Sequence, residues 1–181
     1  MTSISSPIRQ SLVSQFETAV ISTAATVERV QSSGSELAIA VRRIARERIA
    51  IADPLDLPAE LFSELRQLPG VVAQRSKQDL ATCDVGVTEA FAGVARTGSV
   101  CVTVDHEYAG VISLLSRLHI AVLSADTIVE RPADLFSPTF LKGKGLHRNF
   151  VFITGPSATA DMGPLVRGVH GPHQLHVIIV E

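Results

Sequence analysis

The sequence is poor in aromatic residues. They make up 4% of its 181 residues, with no Trp and one Tyr, although 46% of all residues are hydrophobic. The core must therefore be built from Val, Ile, Leu and Ala, a composition typical of parallel strands buried on both faces. A chain of this length fits one domain, or one domain with an arm.

Cysteine is equally scarce. The chain contains two cysteines, Cys83 and Cys101, and has no CxxC motif or iron–sulfur spacing. Iron–sulfur clusters are held by sets of cysteine thiolates at characteristic spacings, so we expect this chain to bind no cluster itself. We interpret both thiols as reduced and buried, with a redox or catalytic thiol as the alternative.

Several other signals are missing. No apolar run reaches the roughly 18 residues that a membrane span needs, and the amino terminus lacks a signal-peptide pattern. The net charge is −2 and no long basic stripe occurs, which argues against nucleic-acid binding. We therefore predict a cytoplasmic protein. The GxSxG, P-loop, GxGxxG and HExxH motifs are absent too, so no catalytic residue is assigned.

The first 52 residues carry a helical pattern. Apolar residues from Ile8 to Val30 follow a helical period, and Ser33 with Glu36 matches a capping box before a second helix. We predict a helical hairpin arm over residues 1–52. The arm either packs on its own domain or offers a surface to a partner or a second copy.

Residues 53–181 alternate short β-branched runs with helical segments, which predicts βαβ units. We expect a three-layer α/β domain with a mainly parallel sheet and helices on both faces, forming one structural unit with the arm. The clearest strand covers residues 100–104, and residues 88–95 resemble a compact apolar helix.

A polar cluster, Asp105-His106-Glu107, follows that clearest strand. We interpret Asp105 as the N-cap of a helix over residues 106–117. A general-base role for Asp105 or Glu107 is the alternative, because sites of α/β proteins form at strand ends.

Two loops have the composition of a ligand-binding segment. Glycine lets a ligand approach the backbone, and hydroxyl groups beside a helix start favour an anion. The first loop follows a buried strand and the second precedes one. The candidate ligand-binding residues are Gly155, Pro156, Ser157, Thr159 and Asp161 in the first loop, and Thr97, Gly98 and Ser99 in the second. A tight structural turn is the alternative for both loops.

Three histidines recur at every third position, His170, His173 and His176. Pro172 prevents a regular helix that would group them on one face, so we predict no metal site. His170, with Gly171, is interpreted as a site or turn residue. We expect His173 to be exposed and His176 to be a buried, hydrogen-bonded histidine.

Two carboxyl-terminal segments resemble a known family. Ile153–Met162 (ITGPSATADM) and Gly168–Glu181 (GVHGPHQLHVIIVE) closely resemble the terminal signature of the LutC/YkgG lactate-utilisation family, whose members carry a LUD domain. The Thr97–Ser99 turn and the strand at His119–Val122 are similar to that family as well. The resemblance covers about residues 70–181.

The resemblance implies a fold like that of the NagB/RpiA/CoA-transferase group. It also implies a role beside two iron–sulfur proteins, which together oxidise L-lactate to pyruvate. The chain would be the cluster-free accessory or ligand-binding subunit, without a cofactor of its own. The alternative is a stand-alone enzyme or binding protein for a sugar phosphate, acyl-CoA or small carboxylate. A homo-oligomer is compatible with both.

Two positions depart from the family pattern. Ala158 stands where the family usually has Arg, and Gly163 where it usually has Glu. An arginine beside Gly-Pro-Ser would clamp a carboxylate or phosphate. Its loss puts anion binding by this loop in doubt unless Arg96, Arg148 or Arg167 takes its place.

Overall fold

The structure is a computed structural model that describes residues 6–45, 48–72, 76–141, 148–161 and 163–181. The helices in these ranges are α1 (Ser6–Ser22), α2 (Gly34–Ile44), α3 (Ala59–Ser63), α4 (Lys77–Ala81), α5 (Ala109–Leu115) and α6 (Pro138–Leu141). The strands are β1 (Thr26–Val30), β2 (Ile49–Ile51), β3 (Val85–Ala90), β4 (Ala92–Val94), β5 (Ser99–Thr103), β6 (Leu118–Ser124), β7 (Ile128–Val129), β8 (Phe150–Ile153), β9 (Ala158–Thr159), β10 (Val166–Arg167) and β11 (Gln174–Val180).

A five-stranded sheet in the order β1-β11-β6-β3-β2 forms the centre of the molecule, and all of its pairings are parallel. Every residue from Leu175 to Val180 in β11 is buried. Such a run of apolar residues forms where helices cover both faces of a parallel sheet. The predicted α/β fold with a mainly parallel sheet is therefore confirmed.

The two faces of this sheet carry separate apolar clusters. On one face the sheet packs against α1 and α5, and on the other against α2 and α3. The fully buried side chains include Phe16 and Val20 on the first face, and Leu37, Val41 and Phe62 on the second. Truncating either buried Phe to Ala removes about 3–5 kcal/mol of folding free energy.

A second sheet, in the order β7-β4-β5-β8, stands beside the central one. The predicted strand at 100–104 is real, but β5 lies in this sheet, antiparallel to β4 and β8. The predicted helix at 88–95 is wrong, because β3 and β4 occupy it with a bend at Phe91. An apolar run buried on all sides has no periodicity that separates a helix from a strand.

The predicted helical hairpin over residues 1–52 is wrong as a structure. Helix α1 ends at Ser22, Ala24 adopts a φ of 64°, and the chain enters β1, which pairs with β11. Helix α2 is followed by β2, which pairs with β3. Both edge strands of the central sheet thus come from this segment, since β-branched Thr26, Val27 and Val30 favour a strand despite their helical spacing.

One predicted helix start and one predicted capping box also differ. Helix α5 begins at Ala109 with Tyr108 as its N-cap, and Asp105 instead accepts a hydrogen bond from Asn149 Nδ2 at 3.1 Å. Ser33 is the N-cap of α2, but Glu36 accepts from the backbone N–H of Gln31 rather than completing a capping box. In the described part of the chain, no helix has the length and apolar character to cross a membrane.

Candidate functional site

The two signature segments meet beside the amino-terminal ends of the strands in the central sheet. The loop after β8 contains Gly155, Pro156 and Ser157, and it lies against the loop that precedes β11. The N–H of Ser157 donates to the carbonyl of Pro172 at 2.9 Å, and the N–H of Gly168 donates to the carbonyl of Ser157 at 2.9 Å. Segments that are separate in the sequence therefore form one structural unit.

A groove of about 750 Å³ runs between these loops, β8 and α5. We call it the signature groove. Five of the predicted site residues line it, namely Gly155, Pro156, Ser157, His170 and Gly171. Its wall is largely apolar, and Leu114, Val151 and Phe152 are 53%, 41% and 41% exposed there. An exposed apolar groove of this kind marks a ligand or partner surface.

The Thr97-Gly98-Ser99 turn does not line the groove. Ser99 Oγ lies 2.7 Å from Thr97 Oγ1 and 2.7 Å from Thr154 Oγ1, so a chain of hydroxyl groups joins this turn to the end of β8. Ser99 is buried. The hydroxyls of Thr97 and Ser99 hold the loop that carries Gly155, and of the three residues only Thr154 lines the groove.

Gly98 and Gly155 are fixed by the end of helix α1. Their φ angles are 66° and 70°, in the left-handed region. A Cβ on Gly98 would lie 2.6 Å from Val20 N, and one on Gly155 would lie 2.5 Å from Thr23 O. Both glycines therefore permit close packing on α1. Their sequence context had instead suggested that they let a ligand approach the backbone.

Thr159 and Asp161 lie beyond the groove, in and after β9. The N–H of Asp161 donates to Thr159 Oγ1 at 3.3 Å, so the two residues form a local turn. Ala158, where the family has Arg, lines the groove, and Arg167 of β10 is its cross-strand partner. Of the three arginines considered from sequence, Arg167 is thus the one placed beside this position. No neighbouring atom lies within 4 Å of a Cβ built on Gly163.

A model of the family described as the LUD domain matches residues 17–180. This chain belongs to the LUD domain family. It is 33% identical over 112 residues to Lactate utilization protein C of Halalkalibacterium halodurans, covering 60% of this chain and 49% of that protein. The match to Lactate utilization protein C of Deinococcus radiodurans is 27% identical and covers 95% and 81% of the two chains.

Two further proteins are similar to this chain. The uncharacterized electron transport protein YkgF of Escherichia coli is 30% identical over 144 residues, which are 78% of this chain and 28% of YkgF. A crystal structure of a DUF162 family protein from Deinococcus radiodurans has a TM-score of 0.69 at 23% identity, covering 96% of this chain and 98% of that one. Our LUD chain spans about half the length of the first curated relative, and the solved structure supports the fold.

The histidines of this LUD domain have separate environments. His176 is buried, with Nδ1 2.7 Å from Thr26 Oγ1 and Nε2 3.0 Å from Glu28 Oε1, which confirms its predicted hydrogen bonding. Burial lowers the pKa of His176, opposed by its hydrogen bond to Glu28. His170 and His173 are exposed, and the His173 ring lies against Gly168.

His119 and the two cysteines lie in the core. His119 Nε2 is 2.9 Å from Thr88 Oγ1, while its Nδ1 has no hydrogen-bond partner among the described residues, and burial lowers the pKa of His119 to about 4. Cys83 and Cys101 are free and buried. Burial raises the pKa of both thiols, that of Cys101 to about 12, so neither is a ready nucleophile.

A second polar cluster lies beside the opposite ends of the central strands, and it brings His106 of the predicted Asp105-His106-Glu107 cluster together with residues that sequence patterns did not single out. Glu89 lies in β3 rather than in a helix, and its carboxylate is buried. Arg148 forms an ion pair with Asp56 across 92 positions of sequence. One signal was present, since Glu89 is a single carboxylate within a run of apolar and small residues.

Proposed function

We propose that this LUD domain chain is the cluster-free component of an iron–sulfur lactate-utilisation system in the cytoplasm. In that system L-lactate is oxidised to pyruvate, and this chain serves as an accessory or ligand-binding subunit. The observation that carries the proposal is the family match over residues 17–180 together with relatives named Lactate utilization protein C.

The assignment of iron–sulfur clusters to partner proteins has two supports. Cluster-binding motifs use four cysteines or similar sets, and this chain has two, both buried. The related region of YkgF, itself named an electron transport protein, makes up 28% of that longer protein. A region similar to this chain therefore occurs within a longer protein that is named for electron transport.

The signature groove is our choice for the surface that meets a partner or ligand. Its exposed Leu114 and Val151 are apolar, and residues of both signature segments form its floor. Large exposed apolar patches on a folded domain mark interaction sites. A partner that covers the groove would bury these side chains.

Co-purification tests the proposal. The tagged chain is co-expressed with the two iron–sulfur proteins of the same organism, and we expect both to be captured. Val151→Lys should reduce capture, whereas Ile39→Lys, on the exposed face of α2, should not. Normal growth on L-lactate after gene deletion, together with failed capture, would contradict the proposal.

The alternative, a stand-alone enzyme or binding protein, has one observation in its favour. The volume of the signature groove lies within the range of small-molecule pockets, roughly 300–1,000 Å³. A thermal-shift panel of sugar phosphates, CoA esters and small carboxylates separates the two ideas, because a bound ligand raises the melting temperature. Stabilisation by a CoA ester or sugar phosphate would favour the alternative.

A further inference from the structure

A small recess lies just beyond the carboxyl ends of β2 and β3. This is the edge at which ligands bind in open α/β sheets. We call it the strand-end recess, and it is lined by Asp53, Leu55, Glu89, Phe91, Thr103 and His106. The recess measures about 10 Å³, room for about one water molecule.

Glu89 fastens the segment that covers this recess. Its carboxylate accepts hydrogen bonds from the backbone N–H groups of Leu55 at 2.6 Å, Asp56 at 3.0 Å and Leu57 at 2.6 Å. Successive N–H groups that converge in this way form an anion-binding nest. We call residues 53–57 the cover segment, and a carboxylate from the protein itself occupies its nest.

A second carboxylate, that of Asp56, holds the cover segment against Arg148. Asp56 of the cover segment accepts two hydrogen bonds from Arg148, at 2.6 and 2.8 Å. The Arg148 guanidinium lies 5.5 Å from the centre of the Phe91 ring, and Phe91 lines the recess. A planar guanidinium held in this way is pre-organised to bind a carboxylate with two hydrogen bonds.

His106 supplies a polar atom without a partner. Its Nε2 is buried and makes no hydrogen bond within the described residues. Buried polar atoms almost always have a partner, so such an atom needs an explanation. The next two residues, Glu107 and Tyr108, adopt φ angles of 46° and 62°, and non-glycine residues in this region mark functional sites more often than other positions.

Backbone pairing keeps His106 and Arg148 together. The N–H of Val104 donates to the carbonyl of Asn149 at 2.9 Å, and Asn149 Nδ2 donates to Asp105 at 3.1 Å. The residues next to His106 in the chain thus contact the residue next to Arg148. A ligand in the opened recess would reach both side chains.

We infer that the strand-end recess is the closed form of a binding site for a small monocarboxylate with an oxygen at C2, such as a 2-hydroxy or 2-oxo acid. The ligand carboxylate replaces Asp56 on Arg148 as the cover segment opens. The C2 oxygen takes the vacant hydrogen bond of His106 Nε2. A neutral imidazole accepts from a hydroxyl or donates to a carbonyl, depending on its tautomer, so both ligand types fit.

Charge sets the class of ligand. Asp56, Glu89 and Asp105 all raise the pKa of Arg148, so among the described residues negative charge surrounds this guanidinium. A doubly charged phosphate would be repelled more strongly than a monoanion. The choice of lactate and pyruvate as probes rests on the proposed function, but the site itself rests on these contacts.

Calorimetric titration with L-lactate, pyruvate, acetate and inorganic phosphate tests this inference. We expect L-lactate and pyruvate to bind at least about tenfold more tightly than acetate, the value of roughly one added hydrogen bond, and phosphate not to bind. Asp56→Asn should tighten lactate binding by removing the internal competitor. A purely structural Asp56–Arg148 pair would give no such gain.

Three variants locate the binding. Arg148→Gln should abolish it, and His106→Asn should remove the preference over acetate. Arg43→Gln, which breaks an ion pair with Glu28 on another part of the surface, should change nothing. Circular dichroism confirms that each variant is folded, and Asp56→Asn keeps the test valid if Arg148→Gln unfolds.

Two outcomes would overturn the inference. One is no binding of lactate or pyruvate by either the parent chain or Asp56→Asn, and the other is binding that Arg167→Gln abolishes in place of Arg148→Gln. The result is separable from the proposed function. Capture of the iron–sulfur partners without lactate binding would refute only the recess, and lactate binding without capture would refute only the assembly.

Discussion

The signature groove and the strand-end recess lie at opposite ends of the strands of the central sheet, and they differ in almost every physical respect. The groove is open, largely apolar and formed by the two signature segments together with β8 and α5. The recess is closed, contains buried charge and draws on four separate stretches of chain. The comparison shows that a family signature can lie on an apolar surface, while the buried charged residues of the same fold lie elsewhere.

The largest effect should come from the recess. Glu89→Ala leaves three backbone N–H groups of the cover segment without their acceptor. A buried donor left without its acceptor costs about 1–3 kcal/mol, so three such donors should together destabilise the fold by about 3 kcal/mol or more. Urea denaturation measures the loss. Glu36→Ala, which removes an exposed carboxylate with one backbone N–H partner, is the matched control and should lose about 1 kcal/mol or less.

The glycines beside the groove come next. Gly155→Ala places a Cβ 2.5 Å from Thr23 O at a φ of 70°, so strain and overpacking together should destabilise the fold by about 2–4 kcal/mol. Gly163→Ala is the control: at a φ of 114° it carries backbone strain, but its Cβ would meet no neighbour among the described residues, so it should lose less in the same denaturation. Equal losses in the two variants would show that packing on α1 is unimportant.

Acid should weaken the fold through His119. Its ordinary pKa is 6.5 and burial lowers the pKa of the folded state to about 4, so the unfolded chain binds more protons between these values. Stability is therefore complete above about pH 6.5 and falls as the pH drops towards 4, by at most about 3 kcal/mol. The lowered pKa of His176 acts in the same direction. Denaturation across this pH range should show a shallower loss in His119→Gln; an unchanged slope would assign it to other groups.

The smallest effect on stability should come from the groove wall. Leu114→Lys changes a side chain that is 53% exposed, so the free energy of unfolding should shift by no more than about 0.5 kcal/mol. Partner capture should nevertheless fall. A large loss of stability would mean that the groove wall belongs to the core, and the contrast with the recess would disappear.

Sequence patterns predicted the layers of the fold because Val- and Ile-rich runs alternate with amphipathic segments. The edge strands β1 and β2 were missed, since Ile8 to Val30 keeps a helical spacing through a turn at Ala24 that only tertiary pairing explains. The spacing of the apolar residues favours a helix, whereas pairing with β11 favours a strand. In the folded protein the pairing with β11 prevails.

The groove residues could be predicted because they are consecutive in the chain and rich in glycine and proline. Gly98 and Gly155 were correctly singled out as special backbone positions, but their neighbour, the end of α1, lies more than 70 positions away in the sequence. Of the recess, only the cluster Asp105-His106-Glu107 could be predicted, because it directly follows a strand in the sequence. Asp56 and Arg148 meet across 92 positions, and no local pattern announces such a pair.

The pairing of β1 with β11 governs the order in which the molecule is assembled. Thr26 pairs with His176 in the parallel ladder, and the two residues are 150 positions apart in the sequence. Strand β1 therefore cannot pair until β11 has been synthesised. Closing so long a loop slows folding. During synthesis the Thr26–Val30 segment stays without its ladder partner until the last strand leaves the ribosome, and nascent chains stopped before Gln174 should be captured by chaperones.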